Sequence, residues 1–197
     1  LKERLKAEID KSTPPEELAA EEKLLAALGM LEPGDNLEEL VSKMLGEEIV
    51  GYYDDEKKEL AIISEGAGAV LMDEVTLSHE MTHALQDQNF DLLRIVPTEG
   101  TGNSDTDLAR LALVEGDASL AMTAYMEDKM SAIELLSLGL GSMGAASDMT
   151  DMPAFLESQL MFPYLDGEAF VTYIKESGGW DRVNAAYQIP PESTEQV

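Results

Sequence analysis

The chain contains only two histidines, four residues apart, with a glutamate directly after the first: Ser78-His79-Glu80-Met81-Thr82-His83. On an α-helix, residues four apart share a face, so both imidazoles can point at one cation. The His-Glu-x-x-His spacing therefore predicts a helix, capped by Asp73 and running to about Gln88, that carries a zinc site. Glu80, turned about 100° from His79 around the helix axis, falls beside the ion rather than on it. That is where a general base for an activated water belongs. The blander reading is a pair of solvated histidines on an ordinary helix. The zinc reading also constrains the fold beyond one helix, because a hydrolytic zinc takes three protein ligands and keeps a position open, so a third donor must come from elsewhere.

With no cysteine and no further histidine, that donor has to be a carboxylate. Glu115 is the leading candidate. Leu108, Leu111, Ala112, Ala118, Ser119 and Met122 recur at helical spacing around it, so it projects from a mainly apolar stripe. A carboxylate buried there is costly unless it is paired or bound to a cation. Pairing of Glu115 with Arg110 or Arg94 is the ordinary alternative, and Asp117, Asp107 and Asp105 are the other candidate ligands. Asp87, one turn after His83, is placed to accept a hydrogen bond from that imidazole. The oxyanion of an attacked carbonyl also needs a donor. Tyr52, Tyr53, Tyr125, Tyr164, Tyr173 and Tyr187, or Arg110, can supply one, although each of these residue types is more often a core or rim residue.

Composition narrows the partners. Forty acidic against thirteen basic residues give a formal net charge of −27, which argues against nucleic acid and anionic membranes as partners. No apolar run is long enough to span a bilayer; the nearest, residues 132–146, is short, glycine-rich and interrupted by Glu134. A start at Leu1 rather than methionine suggests a fragment whose native N-terminus could have carried a signal or anchor, which leaves the location open and favours an extracytoplasmic one, secreted or anchored.

The 197 residues, 44% hydrophobic, suit one domain, organised as N-terminal helices over 1–45, a central part over 48–130 and a helical part over 131–197. Helices are expected over residues 1–11, from about Pro14 to Leu28 with Gly29 at its end, and from Asn36 to about Leu45. The period then changes. Residues 48–53 and 59–63 are β-prone and separated by a polar stretch, which predicts a hairpin. A loop at 66–69 precedes the histidine helix, a polar loop spans 97–105, and a long helix follows from about Thr106 to Met130. The remainder is expected to be helical, broken at 139–147, Pro153, Pro163, Gly178-Gly179 and Pro190-Pro191. The fold class expected is α+β, predominantly helical, with one small sheet.

Two histidines with a glutamate on a later helix resemble the gluzincin zinc peptidases. More closely, the run His79 to Gln88, then Leu113-Val114-Glu115-Gly116-Asp117-Ala118, the Gly51-Tyr52-Tyr53-Asp54 segment and the tail Pro191 to Gln196 are similar to a family of uncharacterised bacterial zinc peptidases, over most of the chain from about residue 14. The resemblance implies a single zincin-like catalytic domain with His79, His83 and Glu115 as ligands and Glu80 as base. Many gluzincins carry an aspartate four residues after the ligand glutamate to orient a histidine. Here that position is Ser119, and the nearby acid is Asp117. Relatives continue past Ser193-Thr194-Glu195-Gln196 with a His-Pro segment, and if that histidine assists catalysis, this fragment would bind zinc without turnover. The expected function is a zinc-dependent endopeptidase acting on peptide or protein substrates. The alternatives are a catalytically silent zincin-fold protein that binds peptides or partners, and a hydrolase of non-peptide amides. The strand at 59–64 is a candidate for aligning an extended substrate.

Overall fold

A computed structural model of the chain describes residues 15–31, 34–37, 40, 51–62, 70–136 and 153–197. Helices dominate, with one two-stranded antiparallel sheet, an α+β composition. Contacts divide the chain into two compact units, Leu1–Ile49 with Asp151–Ser158, and Val50–Thr150 with Gln159–Val197.

In the first unit, helix α1 spans Pro15–Ala27. It stops at Gly29, whose φ of 72° is the left-handed geometry that glycine adopts without penalty. The amide of Gly29 bonds Ala26 O and that of Met30 bonds Leu25 O, at 3.1 and 2.9 Å, closing the last turn. Leu25, Leu31, Leu37 and Leu156 form a small core. Leu40 donates to Asn36 O, as the expected third helix requires. The helix expected at 1–11, the rest of that third helix and the loops expected at 66–69 and 139–147 lie outside the described residues.

The second unit holds every residue of the expected site. Strands β1 (Gly51–Asp54) and β2 (Glu59–Ile62) pair in the register Gly51 with Ile62 and Asp54 with Glu59. Asp54 closes the turn by accepting from the Lys57 amide at 2.9 Å and its ammonium at 2.8 Å. Helix α2 (Val70–Phe90) carries the histidines. It begins before Asp73, which therefore lies in its first turn and does not cap it; an acid there still favours the helix dipole. At its end, Asp91 takes a left-handed φ of 61° and turns the chain into a short helix α3 (Leu92–Ile95) that the sequence pattern did not announce.

Helix α4 (Ser104–Lys129) is capped by Asn103, whose side chain accepts from the amides of Asp105 and Thr106. It packs along α2. Helix α5 (Ala154–Gln188) follows Pro153 and contains Pro163, where a break was expected. A proline inside a helix removes one hydrogen bond and costs roughly 3 kcal/mol. The helix nevertheless continues, with Pro163, Gly167, Val171 and Ile174 all buried. The expected break at Gly178-Gly179 is present as a kink, Gly179 having a φ of 68°. At the crossing of α5 with α4, a Cβ on Gly116 would lie 2.1 Å from Gly167 C, and a Cβ on Gly167 would lie 2.3 Å from Ala112 O. The two backbones touch, and only glycines permit it. Leu92, Ile95, Leu113, Val114, Val171, Ile174, Val183 and Tyr187 form the main core. The helix α5 ends at Gln188, just before Pro190-Pro191, and the tail closes as a 3-10 turn, Thr194–Gln196. That turn is tied to the start of α4. Thr106 Oγ1 donates to Glu192 O at 2.7 Å, and Thr194 donates through its hydroxyl to Asp105 at 2.6 Å.

Candidate metal centre

Helix α2 presents two adjacent ridges that meet different neighbours. Thr76, Glu80 and Asp87 face the hairpin, where a Cβ on Gly51 would come within 2.8 Å of Thr76 Cγ2 and 3.2 Å of Glu80 Cγ. Glycine at this position lets β1 lie directly against Glu80. His79 and Gln86 face α4, and His83 sits between the ridges.

Across the α2–α4 seam, Glu115 Oε2 lies 3.2 Å from His79 Nε2 and 3.4 Å from His83 Nε2, while the two Nε2 atoms are 3.1 Å apart. His79, His83 and Glu115 are the group of described residues whose donor atoms could hold a metal ion. Their separations match the donor–donor edges of about 3.3 Å that zinc–ligand bonds of about 2.0–2.1 Å impose in a tetrahedron. The expected alternatives for Glu115 are engaged elsewhere: Arg94 donates to the carbonyls of Phe90 and Tyr187, and Arg110 donates to Ile95 O. Asp105 and Asp107, the other expected ligands, hold the tail and the Thr101 amide.

The chemistry of the donor set asks for a cation. Gln86 Nε2 lies 3.0 Å from both Val114 O and Asp117 Oδ2, so these two acceptors fix the amide with its nitrogen toward them. Its Oε1 then faces His83 Nδ1 at 2.9 Å. An acceptor at that position puts the imidazole proton on Nδ1 and leaves the lone pair on Nε2. That lone pair points at a carboxylate oxygen and a second imidazole nitrogen, and these atoms repel unless a proton or a metal lies among them. His79 Nδ1 is buried without a partner. With a proton and no metal among these atoms, burial alone would raise the pKa of Glu115, but hydrogen bonds from the protonated His79 and His83 rings outweigh it and hold the carboxyl at about 2. Burial favours neutral His83, yet Glu115 overrides it and raises that imidazole to about 9. Both shifts show how strongly the cluster attracts positive charge.

Glu80 is 8% exposed. Burial raises its pKa, opposed by the His83 and His79 rings, and the Tyr53 amide donates to it. A base held this way is more proton-hungry than an ordinary surface carboxylate.

Comparison with family models, curated proteins and solved structures returns no match.

The supporting residues differ from expectation at several points. The partner of His83 Nδ1 is Gln86 and not Asp87, because Asp87 lies on the hairpin ridge. There its carboxylate accepts from the Tyr53 hydroxyl at 2.8 Å, the Lys58 ammonium at 2.6 Å and the Leu92 amide at 3.3 Å. Burial raises the Asp87 pKa, but these donors more than offset it and the net shift is downward. Tyr53 is pushed up to about 12 by burial and by Asp87, so its hydroxyl is committed to that contact. Asp117 supports the site through Gln86, while Ser119 is buried on α4. Tyr187, expected among the oxyanion donors, is fully buried and gives its hydroxyl to Asp117 at 2.8 Å. Tyr125 bonds Glu74. Arg110 is turned toward α3. Tyr52 lies on β1, and Tyr173 is exposed on α5. Among the described residues, Tyr164 is the tyrosine with a ring contact to a candidate ligand, its centroid 6.4 Å from that of His79.

Gln86 was absent from the expected set. Its signal was available, since a residue three positions after His83 is a helical neighbour of it as surely as one four positions after. Which neighbour is used depends on the placement of the hairpin and α4, which local spacing does not encode.

Proposed function

We propose that the protein is a zinc-dependent peptidase, with His79, His83 and Glu115 holding the ion and Glu80 acting as general base. The observation that carries this reading is the convergence of two imidazole nitrogens from α2 and a carboxylate oxygen from α4 within 3.1–3.4 Å of one another. A zinc ion held there supplies Lewis acidity toward a carbonyl oxygen and makes a water acidic near neutral pH. Glu80, the next residue along the same helix, accepts the proton of the attacking water and passes it to the departing amine. Its burial against β1 raises its affinity for that proton. Tyr164, exposed and in ring contact with His79, would be the donor to the carbonyl oxygen of a bound peptide. The Gly51–Asp54 strand, in contact with Glu80, offers backbone for an extended substrate; the sequence pattern had favoured the strand at 59–64 for that part.

The experiment is zinc loading followed by cleavage of an unfolded protein. Wild-type protein is expected to bind one zinc per chain and to cleave. Glu80→Gln is expected to bind zinc equally and to lose activity by at least about 10²–10⁴-fold. Zinc binding without cleavage by the wild type supports the silent binding protein instead, and retained cleavage by a zinc-loaded Glu80→Gln protein removes Glu80 from the mechanism.

A further inference from the structure

A neutral side chain stands behind His83 where metal-binding histidines commonly lean on a carboxylate or a backbone carbonyl. Gln86 is 2% exposed and all of its polar atoms are used. Its amide cannot be reversed without aiming an oxygen at two acceptors. Behind it, Asp117 Oδ2 takes both Gln86 Nε2 and the Tyr187 hydroxyl, at 3.0 and 2.8 Å. Tyr187 is in turn immobilised, stacked on Phe90 with ring centroids 4.2 Å apart and its carbonyl bonded by Arg94 at 2.9 Å. A continuous series of directed hydrogen bonds therefore runs from the main core to one ring nitrogen.

We propose that Gln86 is the positioning residue of the metal site: locked by Val114 O and by Asp117 with Tyr187, its carboxamide holds His83 as the Nδ1–H tautomer and so aims the Nε2 lone pair at the ion. The inference rests on the zinc reading. It explains why this site works without an acid four residues after Glu115. The negative charge sits at Asp117, one hydrogen bond further from the imidazole, and Gln86 relays orientation without bringing that charge into contact with His83.

The test compares the full chain with Gln86→Met and Gln86→Glu. Three quantities are read: zinc affinity by chelator competition, the exchange-protected His83 Nδ1–H proton resonance of the zinc-loaded protein, and thermal stability. Met matches the volume of Gln but cannot accept the Nδ1 proton. Glu can accept it, yet turns an oxygen toward Val114 O and Asp117. The expected result is a separation of binding from stability. Gln86→Met loses about 10- to 100-fold in zinc affinity together with the protected resonance. Gln86→Glu keeps the resonance and binds zinc more tightly than Gln86→Met, although it is the less stable of the two. Zinc affinity that instead follows melting temperature across the variants, or an unchanged affinity in Gln86→Met, overturns the proposal and leaves Gln86 a packing residue. A wild-type chain that takes up no zinc fails at the earlier step and removes the metal site itself.

Discussion

Asp87 shows how one side chain can be locally plausible for one task and structurally committed to another. By spacing it neighbours His83, yet its carboxylate gathers Tyr53, Lys58 and the Leu92 amide, fastening the hairpin and the turn into α3 onto the helix that carries the histidines. Asp87→Asn is expected to destabilise the protein by about 1.5–3 kcal/mol at neutral pH, the range for hydrogen bonds to a charged group. The pH dependence has a definite sign. The folded-state pKa is depressed, so this contribution is complete above the unfolded value near 3.9 and is lost as pH falls through the lower folded value. Denaturant melts of the two proteins should accordingly differ at pH 7 and converge as acid is added. A constant difference across that range would mean that the carboxylate's charge is not what holds the hairpin. Zinc affinity should change less in this variant than in Gln86→Met, because Asp87 touches neither imidazole.

At the scale of elements, the decisive contacts are helix against helix and hairpin against helix. Gly116 adjoins the candidate ligand Glu115 and lies where the α4 backbone meets the α5 backbone at Gly167. Gly116→Ala places a methyl carbon inside that contact, so α4 and α5 must separate. Overpacking of this kind costs about 1–3 kcal/mol or more, read as a drop of several degrees in melting temperature, with weaker zinc binding because the displaced helix carries the third ligand. The individual elements were legible in the chain. Gly29 marked the end of α1, the alternating runs marked the hairpin, Asn103 lay within the predicted loop ahead of α4, and the paired glycines marked the kink in α5. Pro163 misled because its own burial and that of Gly167, Val171 and Ile174 beyond it outweigh one lost hydrogen bond, a tertiary effect. The short α3 was missed since four residues carry no periodicity. Within the site, the histidine spacing and the apolar stripe around Glu115 predicted the residues that meet. Gln86, Asp117 and Tyr187 came together only through separations of 31 and 70 residues that no local pattern reports.

Across the whole molecule, a net charge of −27 on 197 residues sets a self-repulsion that folding must overcome. Raising sodium chloride from about 10 to 150 mM shortens the screening length from about 30 to 8 Å. Melting temperature is therefore expected to rise over that range, by roughly 2–4 °C for each kcal/mol of repulsion relieved; a fall would show that attractive ion pairs dominate instead. Among the described residues no helix is long and apolar enough to cross a membrane. The three candidate ligands lie within a 37-residue stretch, His79 to Glu115, whereas the Tyr187 hydroxyl that steadies Asp117 comes 70 residues after it, and the Glu192 carbonyl that Thr106 bonds comes 86 residues after that threonine. During synthesis, then, the ribosome delivers all three donor side chains well before their bracing. On the zinc reading proposed above, a nascent chain would meet its ion before the last helix and the tail arrive to brace the residues around it.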